Sequence, residues 1–132
     1  MIYIKAIQYP LRRMRRLIGN IYNVYKWLPI IWKDKDFDHY FVEVMLYYKL
    51  KSMLDFFESK HAVTDWSVPE QAKALQALRI CVTILDRRLT EFYILNLSTE
   101  ATEQFEIIRQ CEERDMQVFG KLFSKYLSYW WD

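Results

Sequence analysis

The chain has 132 residues, 52% of them apolar, with five Trp, ten Tyr, eight Phe and a formal net charge of +2. That length buries one hydrophobic core but is short for two ordinary domains, so a single domain over 1–132 is expected. No run of about eighteen apolar residues occurs, which argues against a membrane-spanning helix. The basic N-terminus lacks an apolar stretch followed by a small-residue cleavage site, so the expectation is a soluble protein that stays inside the cell.

The net charge conceals an asymmetry. Residues 1–60 carry 11 Lys or Arg against 6 Asp or Glu, whereas residues 61–132 carry 8 against 11. Lys5, Arg12, Arg13, Arg15, Arg16 and Lys26 all precede the first acid, Asp34. Such a segment could meet phosphate, an anionic membrane or the acidic half of its own fold.

Only two Gly and three Pro punctuate the chain, and alternating strand patterns are absent, so the fold class read from the sequence is all-α. Leu11, Met14, Ile18, Ile21, Tyr25 and Leu28 step by three and four, predicting a first helix from about Pro10 to Trp27. Pro29 should stop or kink it. Asp34 or Asp36 is a natural N-cap for a second helix over about 37–60, since a carboxylate there accepts from free backbone N–H groups. Its buried stripe would be Phe37, Tyr40, Phe41, Val44, Tyr47, Tyr48, Leu50, Leu54 and Phe57.

Residues 61–68 lack periodicity and read as a loop, from which Ser67 or Val68 leads into Pro69 at a favourable first-turn position. A third helix carries Ala72, Leu75, Leu78, Val82, Leu85, Leu89 and Phe92 to about Ile94. A fourth begins near Thr99 or Glu100 and presents Phe105, Ile108, Met116, Phe119, Phe123, Tyr126 and Trp130, with a bend or break expected at the charge-dense 111–115. Short connections between long amphipathic helices make antiparallel neighbours, so a bundle of about four helices burying their stripes on one another is predicted. The aromatic load exceeds what one small core hides, and some rings should line a pocket or a subunit interface.

Cys81 and Cys111 fall within helical patterns without CxxC spacing and read as buried thiols rather than a disulfide or zinc framework. The densest chemistry lies between Trp32 and Tyr40, which crowd three carboxylates, two ammonium groups, an imidazole and three rings into nine positions. Asp34, Asp36 and Asp38 imitate the opening of a calcium loop, but His39 stands where Gly is needed and Met45 where Glu is needed, so that reading fails. A looser magnesium or manganese site could use Asp36, Asp38, His39 and Glu43, the last two one helical turn apart. The plainer reading is a helix N-terminus dressed with acids, and no metal or cofactor is expected.

Lys33 and Lys35 beside Trp32 and Phe37 suit a nucleotide, because a cation binds phosphate while a ring stacks on a base. The alternative is a turn whose charges cap the second helix and whose rings enter the core. Arg12 to Arg16 could add phosphate contacts, or form a solvated face or salt bridges to the acidic fourth helix. Asp86-Arg87-Arg88 reads as a buried acid paired with a base, fixing helix register across the bundle to Lys33, Lys35 or Arg12. Trp130-Trp131 should dock on the body, beside Trp32 or at an oligomer contact. No Gly-rich phosphate loop, HExxH or GxSxG is present, so an enzyme is not the expected class.

Ile31-Trp32-Lys33-Asp34-Lys35-Asp36-Phe37-Asp38, Leu85-Asp86-Arg87-Arg88-Leu89 and the final Trp130-Trp131-Asp132, in that order, resemble a group of small helical accessory proteins of tailed bacteriophages whose function is unassigned. That group carries an aromatic followed by Lys-Asp-Arg-Asp-Trp-Asp, a long amphipathic helix, a Leu-Asp-Arg element and a terminal Trp-Trp-Asp. Here Lys35 replaces the Arg and Phe37 the Trp, which exchanges a planar fork for a point charge. The resemblance implies a phage accessory protein in the cytoplasm of an infected bacterium.

Together these readings predict a non-enzymatic protein that sequesters a nucleotide-derived signal to counter host defence, as a homo-oligomer. The ligand-binding residues would be Trp32, Lys33, Lys35, Asp36, Asp38, His39, Arg87 and Trp131. The first alternative is a helical interaction protein that inhibits or scaffolds a host or phage protein. The second is a metal-dependent phosphohydrolase using Asp34, Asp36, Asp38 and His39. Nucleic acid is not the expected partner.

Overall fold

A computed structural model describes residues 2–33, 39–90 and 101–131, with backbone alone for 2–9 and 101–103. The described residues hold four α-helices: α1 (Ile2–Ile31), α2 (His39–Phe57), α3 (Pro69–Leu89) and α4 (Ala101–Tyr126). A single 3-10 turn, Leu127–Tyr129, follows α4. No strand occurs among the described residues, in agreement with the all-α reading. Residues group into two compact units, 1–38 and 39–132. The first holds one helix, and the hydrophobic core belongs to the second.

In the 39–132 unit, α3 packs against both α2 and α4. Its start follows from local chemistry: Val68 is extended at the N-cap, Pro69 occupies the first turn, and Glu70 meets the positive end of the helix dipole. Arg87 and Arg88 lie in the last turn, where the dipole favours cations, and the Thr90 N–H closes the helix on the Asp86 carbonyl. Before the helix, Asp65 accepts from the Ser67 N–H at 3.0 Å and from its hydroxyl at 2.5 Å, folding the turn that ends the 61–68 loop.

Packing on two sides explains why α3 buries more than one stripe. The predicted Leu75, Leu78, Val82 and Leu85 are buried, and so are Ala74, Ala77, Cys81 and Ile84 on the flanks. From α2 the core takes Leu50, Leu54 and Phe57, with Leu46, Tyr47 and Met53 packed against it, while Tyr40 is exposed. From the C-terminal segment it takes Phe119 and Trp130, with Met116, Leu122, Phe123 and Tyr126 half-buried around them.

Ion pairs fix both crossings as antiparallel. Glu43 near the start of α2 meets Arg88 at the end of α3, and Glu58 just after α2 meets Arg79 within α3. Asp115 in α4 meets Arg87, whereas Trp130 beyond α4 reaches Ala74 near the start of α3.

Several elements differ from expectation for identifiable reasons. Helix α1 begins before Pro10 and runs past Pro29. The spacing of Ile4, Ile7, Leu11 and Met14 continues through the first proline, and the second lies in the last turn, where the Trp32 N–H still bonds the Leu28 carbonyl at 2.9 Å. The predicted caps Asp34 and Asp36, the stripe residue Phe37, the fourth-helix start near Thr99, and the residues between Phe92 and Ile94 lie outside the described residues.

Helix α4 is continuous through 111–115. Glu113 and Arg114 are exposed, Glu112 is half-buried and Asp115 turns inward, so the charges ride on an unbroken helix. Phe105 is exposed rather than packed. With Asp115 opposite Arg87, a position ten residues earlier lies roughly 15 Å farther along, beyond the end of α3 at Leu89.

The largest departure is the apolar stripe of α1. Leu11, Met14, Ile18, Ile21, Tyr25 and Leu28 are 48–74% exposed rather than buried.

Candidate functional site

The Asp86-Arg87-Arg88 triplet spreads its three side chains over two neighbouring helices. Arg88 donates from Nε to Glu43 Oε2 at 2.9 Å and from Nη2 to Oε1 at 2.8 Å, a two-pronged pair with both side chains largely shielded from water. Arg87 lies 3.6 Å from the carboxylate of Asp115, which is buried. Asp86 itself is exposed, contrary to the buried acid expected, and accepts from the Tyr47 hydroxyl. Burial of the ring and that carboxylate together push the Tyr47 phenol above its ordinary range.

This arrangement holds helices in register. The predicted ligand residue Arg87 faces Asp115. His39 opens α2 and is exposed. Glu43, one turn on, has both oxygens engaged by Arg88. Among the described residues no three His, Cys, Asp or Glu side chains cluster as metal ligands.

At the other end of α3, the C-terminal aromatics dock as the sequence suggested, with Trp130 as the anchor. Its indole N–H donates to the Ala74 carbonyl at 2.8 Å, and its ring meets Phe123 edge-on at 6.0 Å. Ala74 permits this because a methyl group leaves room for the indole over the helix backbone. Trp131 points outward and is 72% exposed, while its carbonyl accepts from the Thr64 hydroxyl at 3.4 Å. Trp131 and Arg87 therefore belong to opposite ends of α3, about 20 Å apart at ~1.5 Å per residue. A single nucleotide-sized pocket does not contain both.

Trp32 and Lys33 follow α1, and both are exposed, Trp32 at 82%. Lys35, Asp36 and Asp38, which complete the predicted ligand set, lie outside the described residues. Around α1 the exposed apolar side chains form one continuous face. On a helix of 3.6 residues per turn, Leu28, Ile21, Met14, Tyr25, Ile18 and Leu11 follow one another within an arc of about 100°. Leu17 and Val24 extend it on one side and Tyr22 on the other, all three also exposed, to about 160°.

The spacing of this face predicts core, and its exposure makes it the leading candidate site. Monomeric proteins rarely show an apolar surface of this extent unless something docks there. A smaller feature is an open depression of about 200 Å³ on α4, lined by Ile107, Gln110, Cys111 and Arg114. It falls below the size of ordinary small-molecule sites. The chain matches no family model, no curated protein and no solved structure.

Proposed function

We propose that this protein is a non-enzymatic interaction protein whose working surface is the apolar face of α1. The observation that supports this reading is the continuous run of exposed large side chains from Leu11 to Leu28. Fully burying one such side chain stabilises by about 1.5–3 kcal/mol, so even partial docking of the row supplies a large driving force. The 39–132 unit serves as a frame, its inward ion pairs holding helix register. The resemblance to phage accessory proteins supports placing this action in an infected bacterial cell. The test is a photo-crosslinking residue in the full chain, placed in cells at Ile21 on the apolar arc or at Asn23 on the opposite side. Strong adduct formation from Ile21 and little from Asn23 is expected; equal labelling from the two, or none from Ile21, overturns the reading.

A second reading, sequestration of a nucleotide-derived signal against host defence, is favoured by the adjacency of exposed Trp32 and Lys33. A ring stacks on the base and the ammonium meets phosphate. Calorimetry with cyclic nucleotides and ADP-ribose derivatives tests it: heat that disappears in Trp32→Ala supports the reading, and no heat with any of them removes it.

A further inference from the structure

We infer that α1 is an interfacial helix that lies along an anionic phospholipid surface, its apolar arc in the headgroup boundary and the cations at its borders at the phosphates. The inference rests on the interaction reading above and names the partner. The first support is the pattern round the helix. Beyond Val24 on one border of the apolar arc the next position is Arg13, and beyond Tyr22 on the other it is Arg15. Long cationic side chains at both borders can run their stems along the apolar boundary and set their charges at headgroup level.

The second support is the sign of the charge. Residues 1–33 hold seven Lys or Arg and no Asp or Glu, so every charge that α1 carries has the sign complementary to an anionic surface. The third is orientation, since no helix among the described residues is long and apolar enough to cross a bilayer. An apolar arc of about 160° with cations at both of its borders suits a helix lying in the interface plane.

Other occupants fit less well. A second copy of α1 packed on this face would set Arg13 and Arg15 against the same cations in either direction, with no acid in 1–33 to relieve the repulsion. A nucleic acid would use the cations and leave the apolar arc in water.

The experiment is co-sedimentation of the full chain with vesicles of phosphatidylcholine alone or of a two-to-one mixture with phosphatidylglycerol, at low and high salt. Binding to the mixed vesicles is expected, weakened by salt and by omission of the anionic lipid. Replacing the border residues Arg13 and Arg15 together by Gln should weaken partition roughly fivefold per cation, about twenty-five-fold in all. Replacing Ile18 and Ile21 by Ser should weaken it even at low salt. These positions are exposed, so the circular dichroism and thermal transition of the free variants should match the parent. Equal binding to both vesicle types, or no binding to either, overturns the lipid assignment. If vesicles fail while the Ile21 crosslinker yields a stoichiometric protein adduct, the interaction reading stands without the lipid; if both fail, both readings fall.

Discussion

Arg88 and Glu43 join α3 to α2 through two N–H···O bonds of 2.9 and 2.8 Å, one to each oxygen of the carboxylate. Truncating one partner takes two charge-assisted hydrogen bonds from the other, half-enclosed charge. Glu43→Ala or Arg88→Ala should each destabilise by about 1–3 kcal/mol, and the double variant should lose less than the sum. Urea unfolding of the four proteins in a mutant cycle measures this; additive losses would show the pair to be energetically idle.

Trp130 and Trp131 are neighbours with opposite environments, 4% and 72% exposed. Trp130→Ala removes an indole from the core and a hydrogen bond from Ala74, and is expected to cost about 3–5 kcal/mol. Trp131→Ala should stay within about 0.5 kcal/mol of the parent. Thermal denaturation of the two variants separates them directly.

Gly120 lies inside α4, and a Cβ added there meets nothing within 4 Å. Gly120→Ala therefore gains helix propensity without a clash and should stabilise by roughly 0.5–1 kcal/mol, read as a raised midpoint in urea.

Cys81 is fully buried, and burial pushes its thiol up to about 11, whereas Cys111 is half-buried. At mildly alkaline pH a maleimide or iodoacetamide probe should modify Cys111 at least tenfold faster than Cys81, and denaturant should erase the difference. Mass spectrometry of the labelled peptides checks both.

The Tyr47 phenol is held above its usual range by burial and by the Asp86 carboxylate. A raised folded-state value means the contribution to stability is whole below the ordinary phenol range near 10 and is lost as pH rises through the folded value. Stability measured across the alkaline range should fall less steeply for Tyr47→Phe than for the parent.

Much of the helical frame was legible from spacing. The Pro69 start, the 61–68 loop and the Leu75, Leu78, Val82, Leu85 row all follow from period and turn chemistry. Ala74, Ala77 and Ile84 fall outside the stripe because a stripe argument assumes one packing partner and α3 has two, whereas Cys81 is buried as its helical setting suggests. Periodicity also cannot tell a buried apolar row from an exposed one: Ile18 and Leu78 occupy equally regular patterns, yet one is 62% exposed and the other 0%. The clue that separated them was charge, since α1 is cationic without acids whereas α3 carries both signs. The partners of Asp86, Arg87 and Arg88 were beyond reach, because register across a bundle depends on which turns face each other.

The placement of α3 between its two neighbours also governs how the 39–132 unit opens. Loss of α2 or of α4 would leave α3 packed on the other, but loss of α3 would dissolve the core. Amide hydrogens around Leu78 to Leu85 should therefore exchange only through global unfolding, and those of the first turns of α4 much sooner. Breathing motions of this unit thus begin at its flanking helices, while the α3 core stays intact.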